Sequence, residues 1–179
     1  MQARGVTTVG VDATTAYQRW RDLESLPTFM NGLEQVVDVG GGRSRWTASA
    51  PVGTVSWEAE VTADEPGQRL AWRSVEGAEV RNEGEVRFTA APGDQGTEVR
   101  VSLSYDLPAG KLGAAVARLT GTDPHQALDD DLRRFKQVVE TGEVVRSDGA
   151  PRGKTARGEF PQHAAQPLSK EELAEVGLA

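Results

Sequence analysis

The 179-residue chain contains no cysteine. This excludes a disulfide framework, a cysteine-based zinc site and a thiol nucleophile, and makes a reducing cytoplasm the expected location. Long hydrophobic runs are missing too. Nothing approaches the roughly eighteen apolar residues that span a bilayer. No apolar stretch follows Met1-Gln2-Ala3-Arg4 as a signal peptide would require. Neither export nor stable membrane insertion is therefore expected. Basic residues are outnumbered, with 20 Lys and Arg against 27 Asp and Glu, a formal net charge of -7. An acidic surface repels phosphate backbones, so nucleic acid is not an expected partner. Hydrophobic residues make up only 37% of the chain, so the excess polarity should be concentrated in one region.

The ordered part of the pattern begins with a strand over Arg4 to Val11, carrying the β-branched Val6, Val9 and Val11. Asp12 is a helix N-cap, and Ala16, Trp20 and Leu23 recur at i, i+4 and i+7 as one face of a short helix. A second short helix is expected with Pro27 in its first turn, Phe29 and Met30 inside it, and Asn31-Gly32 at its end. From Leu33 to about Leu107 the period falls to two. Alternating runs are separated by Gly40-Gly41-Gly42, Pro51-Val52-Gly53, Glu65-Pro66-Gly67, Glu76-Gly77 and Pro92-Gly93-Asp94, turn compositions at meander spacing.

The alternation has sides. Trp46, Ala48, Val55, Trp57, Ala59, Val61, Leu70, Trp72, Val86, Phe88, Val99, Val101, Leu103 and Tyr105 fall on one face. Arg45, Glu58, Glu60, Arg73, Glu85, Arg87 and Arg100 fall on the other. This is the pattern of an antiparallel sheet with one wet face, across which opposite charges pair weakly. Helical periodicity returns with Leu112, Val116 and Leu119. After Gly121 it restarts at Asp123-Pro124, with Asp123 as N-cap. Leu128, Leu132, Phe135 and Val139 form the stripe, and Gly142 ends the helix. That stripe needs an apolar partner, and the apolar sheet face is the large one available. Residues 143–179 are rich in Gly, Pro, Ala, Arg and Glu without period and read as a mobile tail. Arg146, Arg152, Lys154 and Arg157 make its start basic, and Ser169 and Glu172 could cap a last short helix. No internal repeat is evident.

This order of elements is that of the helix-grip fold, an α+β arrangement in which a curved antiparallel sheet wraps a long C-terminal helix. Asp12-Ala13-Thr14-Thr15-Ala16-Tyr17 through Trp20 to Pro27-Thr28-Phe29-Met30 resembles the opening of the START-like, or SRPBCC, superfamily. Glu65-Pro66-Gly67-Gln68-Arg69-Leu70-Ala71-Trp72-Arg73-Ser74 and Asp129-Asp130-Asp131-Leu132-Arg133-Arg134-Phe135-Lys136 support the likeness. The branch is the bacterial cyclase/dehydrase type, related to polyketide cyclases and coenzyme Q-binding START proteins. The resemblance covers residues 1–142 and omits the tail. It implies an internal cavity holding a lipid, a quinone or a polyketide; it does not by itself imply catalysis.

On this reading Trp46, Trp57, Trp72, Phe88, Leu103 and Tyr105 form either cavity walls or core, with Leu128, Leu132 and Phe135 opposite. Phe29 and Met30 either gate the entrance, as the resemblance implies, or cap the core rim. The inward face offers only Ser74 and Tyr105 as polar groups that would orient a ligand or act on it. Glu76 and Asn82, near strand ends, either reach the cavity mouth or, as the simpler reading, sit in solvated loops. His125 with Asp129, Asp130 and Asp131 has helical spacing for a metal, but a first-turn histidine and a solvated acidic run near a helix N-terminus, favoured by the macrodipole, are the stronger explanation. No metal and no cofactor are expected. Gly153-Lys154-Thr155 lacks the glycine five positions earlier, the strand and the helix of a phosphate loop.

Three functions fit: binding of an apolar small molecule, aromatase/cyclase or dehydratase action on a polyketide-like chain, and a scaffold whose tail recruits a protein partner. Whether the chain turns over its ligand is left open by the residues themselves.

Overall fold

The computed structural model describes residues 2–49, 53–106 and 124–142. Seven strands form one antiparallel sheet: β1 (Gln2–Val9), β2 (Leu33–Gly40), β3 (Arg43–Ser49), β4 (Thr54–Glu65), β5 (Arg69–Ser74), β6 (Arg81–Ala90) and β7 (Thr97–Asp106). The spatial order is β1-β7-β6-β5-β4-β3-β2. Strands 2 to 7 are thus a plain meander, and β1 joins its last strand. Helix α1 (Ala13–Arg21) and a 3₁₀ turn (Leu23–Thr28) follow β1, and helix α2 (Pro124–Thr141) follows β7. This is the helix-grip arrangement. The first apolar stripe with Leu112, the Asp123 cap and the tail from Glu143 onward lie outside the described residues.

Local chemistry accounts for the boundaries. The Asp12 carboxylate accepts the Thr15 N–H at 2.9 Å and starts α1. Gly142, at φ +80°, donates its N–H to the Val138 carbonyl and ends α2. Three consecutive left-handed glycines, 40 to 42, make the β2–β3 turn. The second short helix departs from expectation. It is 3₁₀, places Pro27 in its last turn, and stops at Thr28, so Phe29 and Met30 follow it rather than lie inside it. β1 also ends earlier than its sequence pattern suggested, and Val6 points outward at 56% exposure on the edge strand.

The wet face is paired as its charges imply: Arg45 with Glu58 at 2.8 Å, Arg73 with Glu60 at 2.8 Å, and Arg69 with Glu85 at 2.7 Å. Such exposed pairs contribute little each. The apolar face is buried from Trp46 through Leu103, with Ala48 and Val61 only partly covered. Its centre is a run of rings. Trp57 stacks on Trp46 at 6.1 Å, Trp46 on Trp72 at 5.7 Å, and Trp72 on Trp20 of α1 at 6.4 Å. Trp20 then meets Phe29 and Phe135 at 5.2 and 5.4 Å. All four tryptophans of the chain belong to this run.

Helix α2 is held to β1 and to the segment after the 3₁₀ turn. Lys136 Nζ donates to the Thr8 carbonyl, and Glu140 accepts the Gly10 N–H at 2.6 Å. Gly5 makes the close approach possible, since a Cβ there would stand 2.6 Å from a Leu132 methyl. Arg134 Nε donates to the Phe29 carbonyl at 3.0 Å. Leu128, Leu132, Phe135 and Val138 are buried, and Val139, the expected fourth member of the stripe, is only partly so. The stripe turns by one residue because 135 to 138 keeps the i+3 neighbour on the core side.

Candidate functional site

A cavity of about 480 Å³ lies between the sheet and α2. Its apolar walls are Ala3 of β1, Trp46 and Ala48 of β3, Val55 and Trp57 of β4, Val80, Leu103 of β7, and Ala127 and Leu128 of α2, with Met30 and Leu33 beside them. The volume is in the range that holds drug-sized molecules. Trp57 also lines a shallower groove of about 320 Å³ with Arg45, Glu58 and the segment from Val75 to Glu79. Its indole N–H is buried and has no hydrogen-bond partner among the described residues.

One part of the lining is polar. Asn31, Asn82, Tyr105, Asp130, Asp131 and Arg134 all border the cavity. Asp131 Oδ1 accepts the Asn31 N–H at 2.9 Å and also the Arg134 guanidinium. Burial pushes the Asp131 carboxyl above its ordinary value, and these two bonds oppose that rise without cancelling it. Burial, reinforced by the charge of Asp131, raises the Tyr105 hydroxyl well above its ordinary value. At neutral pH Tyr105 is therefore a protonated donor. Asn82 Oδ1 accepts the Trp72 indole N–H at 3.0 Å.

The residues singled out in the sequence divide in two. Met30, Trp46, Trp57, Leu103, Tyr105 and Leu128 come together around the cavity. Phe29, Trp72, Phe88, Leu132 and Phe135 are not among its lining; they are buried in packed core, each at 4% exposure or less. Ser74 does not line it either. Its hydroxyl donates to the Asn82 carbonyl at 3.2 Å and accepts the Asn82 N–H at 2.8 Å, tying β5 to β6. Two expectations need correction. Asn82 is not in a solvated loop but is 6% exposed within β6. The acidic run is not wholly solvated, for the Asp131 side chain is 14% exposed. Asp131 stands three residues after Leu128 and four before Phe135, so helical spacing alone puts it against the buried face. Sequence reasoning passed over Arg134 as well, three residues further along the same flank. His125 Nδ1 lies 3.2 Å from the Arg4 carbonyl and 3.3 Å from the Arg4 N–H. Among the described residues no cluster of three or more His, Cys, Asp or Glu could hold a metal. No helix among them is long and apolar enough to cross a membrane.

An antiparallel sheet gripping a long helix, with a partly polar cavity between them, defines a START-like protein. Residues 9–133 match the family model described as polyketide cyclase / dehydrase and lipid transport, and the chain belongs to that family. It is 31% identical over 132 residues to an uncharacterized 17.2 kDa protein of Streptomyces lincolnensis, covering 74% of this chain and 85% of that one. A crystal structure from Deinococcus radiodurans is similar with 48% identity and a TM-score of 0.67, covering 79% of this chain and 98% of that one. An aromatase/cyclase from a Streptomyces species shares the fold at 18% identity and a TM-score of 0.55, covering 81% and 99% respectively.

Proposed function

We propose that the chain binds an apolar small molecule of the lipid, quinone or polyketide type in the cavity between its sheet and α2. One observation carries this reading. The aromatic run is fully packed from Trp72 to Phe135, yet about 480 Å³ beside Trp46, Trp57 and Leu128 is left unfilled. Concave spaces of that size, with mostly apolar walls and a few polar groups, are where small molecules bind. Burying a ligand's apolar surface there supplies roughly 25 cal/mol per Å² of driving force.

The test is native mass spectrometry of the protein purified from its own host, beside Ala48→Phe, which places a ring in the cavity. A co-purifying apolar mass on the unaltered chain that is lost in the variant supports binding. Repeated absence of such a mass, with no change of tryptophan fluorescence on titration with an apolar probe, overturns it.

Cyclase or dehydratase action on a polyketide-like chain has one observation of its own in favour. Tyr105, held protonated, and Asp131 both border the cavity. A neutral phenol donor stabilises a developing oxyanion, and a shaped cavity aligns a reactive chain. Turnover of a poly-β-keto substrate that falls at least about tenfold in Tyr105→Phe, with ligand retention unchanged, supports it. Unchanged turnover in that variant dismisses Tyr105 from the chemistry.

A further inference from the structure

The polar part of the cavity indicates what the ligand carries. Among the described residues three charged side chains border the space: Asp130, Asp131 and Arg134. Their formal sum is -1. Asp130 pairs with Arg133 at 2.9 Å, and Arg133 is solvent-exposed. Arg134 is already engaged twice, by the Phe29 carbonyl and by Asp131. Asp131 is used unevenly. Both of its bonds, from the Asn31 N–H and from Arg134, fall on Oδ1. Among the described residues Oδ2 accepts none. A carboxylate whose side chain is 14% exposed thus keeps a free acceptor oxygen on a residue that lines the cavity.

From this we infer that the cavity selects neutral ligands bearing a hydroxyl donor, alcohols or phenols, and discriminates against carboxylates and phosphates. The inference rests on the binding reading above. A hydroxyl donates to Asp131 Oδ2 and completes the carboxylate's bonding; a hydrogen bond to a charged acceptor is among the stronger kinds. An anionic head group in the same place meets Asp131 as a like charge, and among the described residues finds its one counter-ion, Arg134, already paired. The Arg134 guanidinium retains donors, so a carbonyl near the hydroxyl is accommodated as well.

Equilibrium dialysis of the full chain at pH 7 with three matched probes tests this: naphthalene, 2-naphthol and 2-naphthoate. The expected order is 2-naphthol tightest, at least about tenfold over naphthalene, with 2-naphthoate weakest. In Asp131→Asn the lining loses its net negative charge and Arg134 loses its carboxylate partner. There the naphthol-to-naphthoate ratio should fall at least about tenfold. The order in the unaltered chain stands as a test even where the variant does not fold. If 2-naphthoate binds as tightly as 2-naphthol, or 2-naphthol no better than naphthalene, the selection is overturned although the cavity binds. If none of the three binds, the cavity reading itself fails and takes this inference with it.

Discussion

The two ends of the aromatic run are built from the same kind of residue and differ in what faces them. At one end Trp72 stacks on Trp20, and Trp20, Phe29 and Phe135 touch one another. Rings from the sheet, α1, the segment after the 3₁₀ turn and α2 fill that space completely. At the other end Trp46 and Trp57 face the cavity, and the described α2 residues there are Pro124, Ala127, Leu128, Asp130, Asp131 and Arg134. The difference arises from the helices. α1 contributes a tryptophan where it crosses the sheet, and α2 brings a phenylalanine only near its middle. Where the described part of α2 brings no large apolar side chain, Trp46 and Trp57 stack on each other but border open space on their helix side.

This contrast can be broken by substitution. The largest effect is expected from Phe135→Ala, which removes a ring at 0% exposure and should cost about 3–5 kcal/mol in a urea unfolding titration. Trp57→Ala, despite the larger side chain, should cost less than Phe135→Ala, because part of its ring borders empty space. Equal costs would mean that the two ends are equally packed. Next comes Gly84→Ala. Its Cβ would stand 2.3 Å from the Trp72 ring, and overpacking there should cost about 1–3 kcal/mol. At the open end the sign reverses: Ala48→Phe should raise stability by roughly 0.5–2 kcal/mol while reducing ligand binding. A destabilised variant would show that the cavity walls cannot accept a ring.

The smallest effect is electrostatic and lies outside the contrast. Burial pushes the Asp64 carboxyl up, but bonds from the Tyr17 hydroxyl and Arg21 outweigh it and hold it below its ordinary value. A carboxyl lowered on folding adds stability above its unfolded pKa of about 4. That contribution is lost as pH falls through the folded value. Asp64→Asn should therefore cost under about 1 kcal/mol at pH 7, since the pair is solvent-screened. The gap to the unaltered chain should close below about pH 4. A gap that persists at pH 2 would assign the loss to packing rather than charge.

Much of this was legible beforehand because it is periodic. Alternation from Trp46 to Leu103 marked the buried face correctly, and Asp12 and Gly142 marked helix ends by capping chemistry. What was missed is not periodic. Pro27 suits a first turn by its fixed φ and missing N–H, yet a six-residue 3₁₀ turn tolerates it near the end. Polarity favours a loop for Asn82, whereas a Trp72 indole N–H needing an acceptor keeps it buried. Asp131 was read with its acidic neighbours as solvated. Its position on the helix differs from theirs, and the Asn31 N–H that receives it is 100 residues away.

The order of amino acids by itself determined the sheet, its wet and dry faces and the apolar stripe of α2, because each is written in spacing along one strand or helix; the family was legible as a resemblance of motifs. Only the tertiary structure decided which aromatic residues are packed and which border a cavity, and that a carboxylate and a guanidinium share that border. Periodicity states which way a side chain points. What stands opposite is set by distant segments brought together, and the chain does not record that as a local pattern.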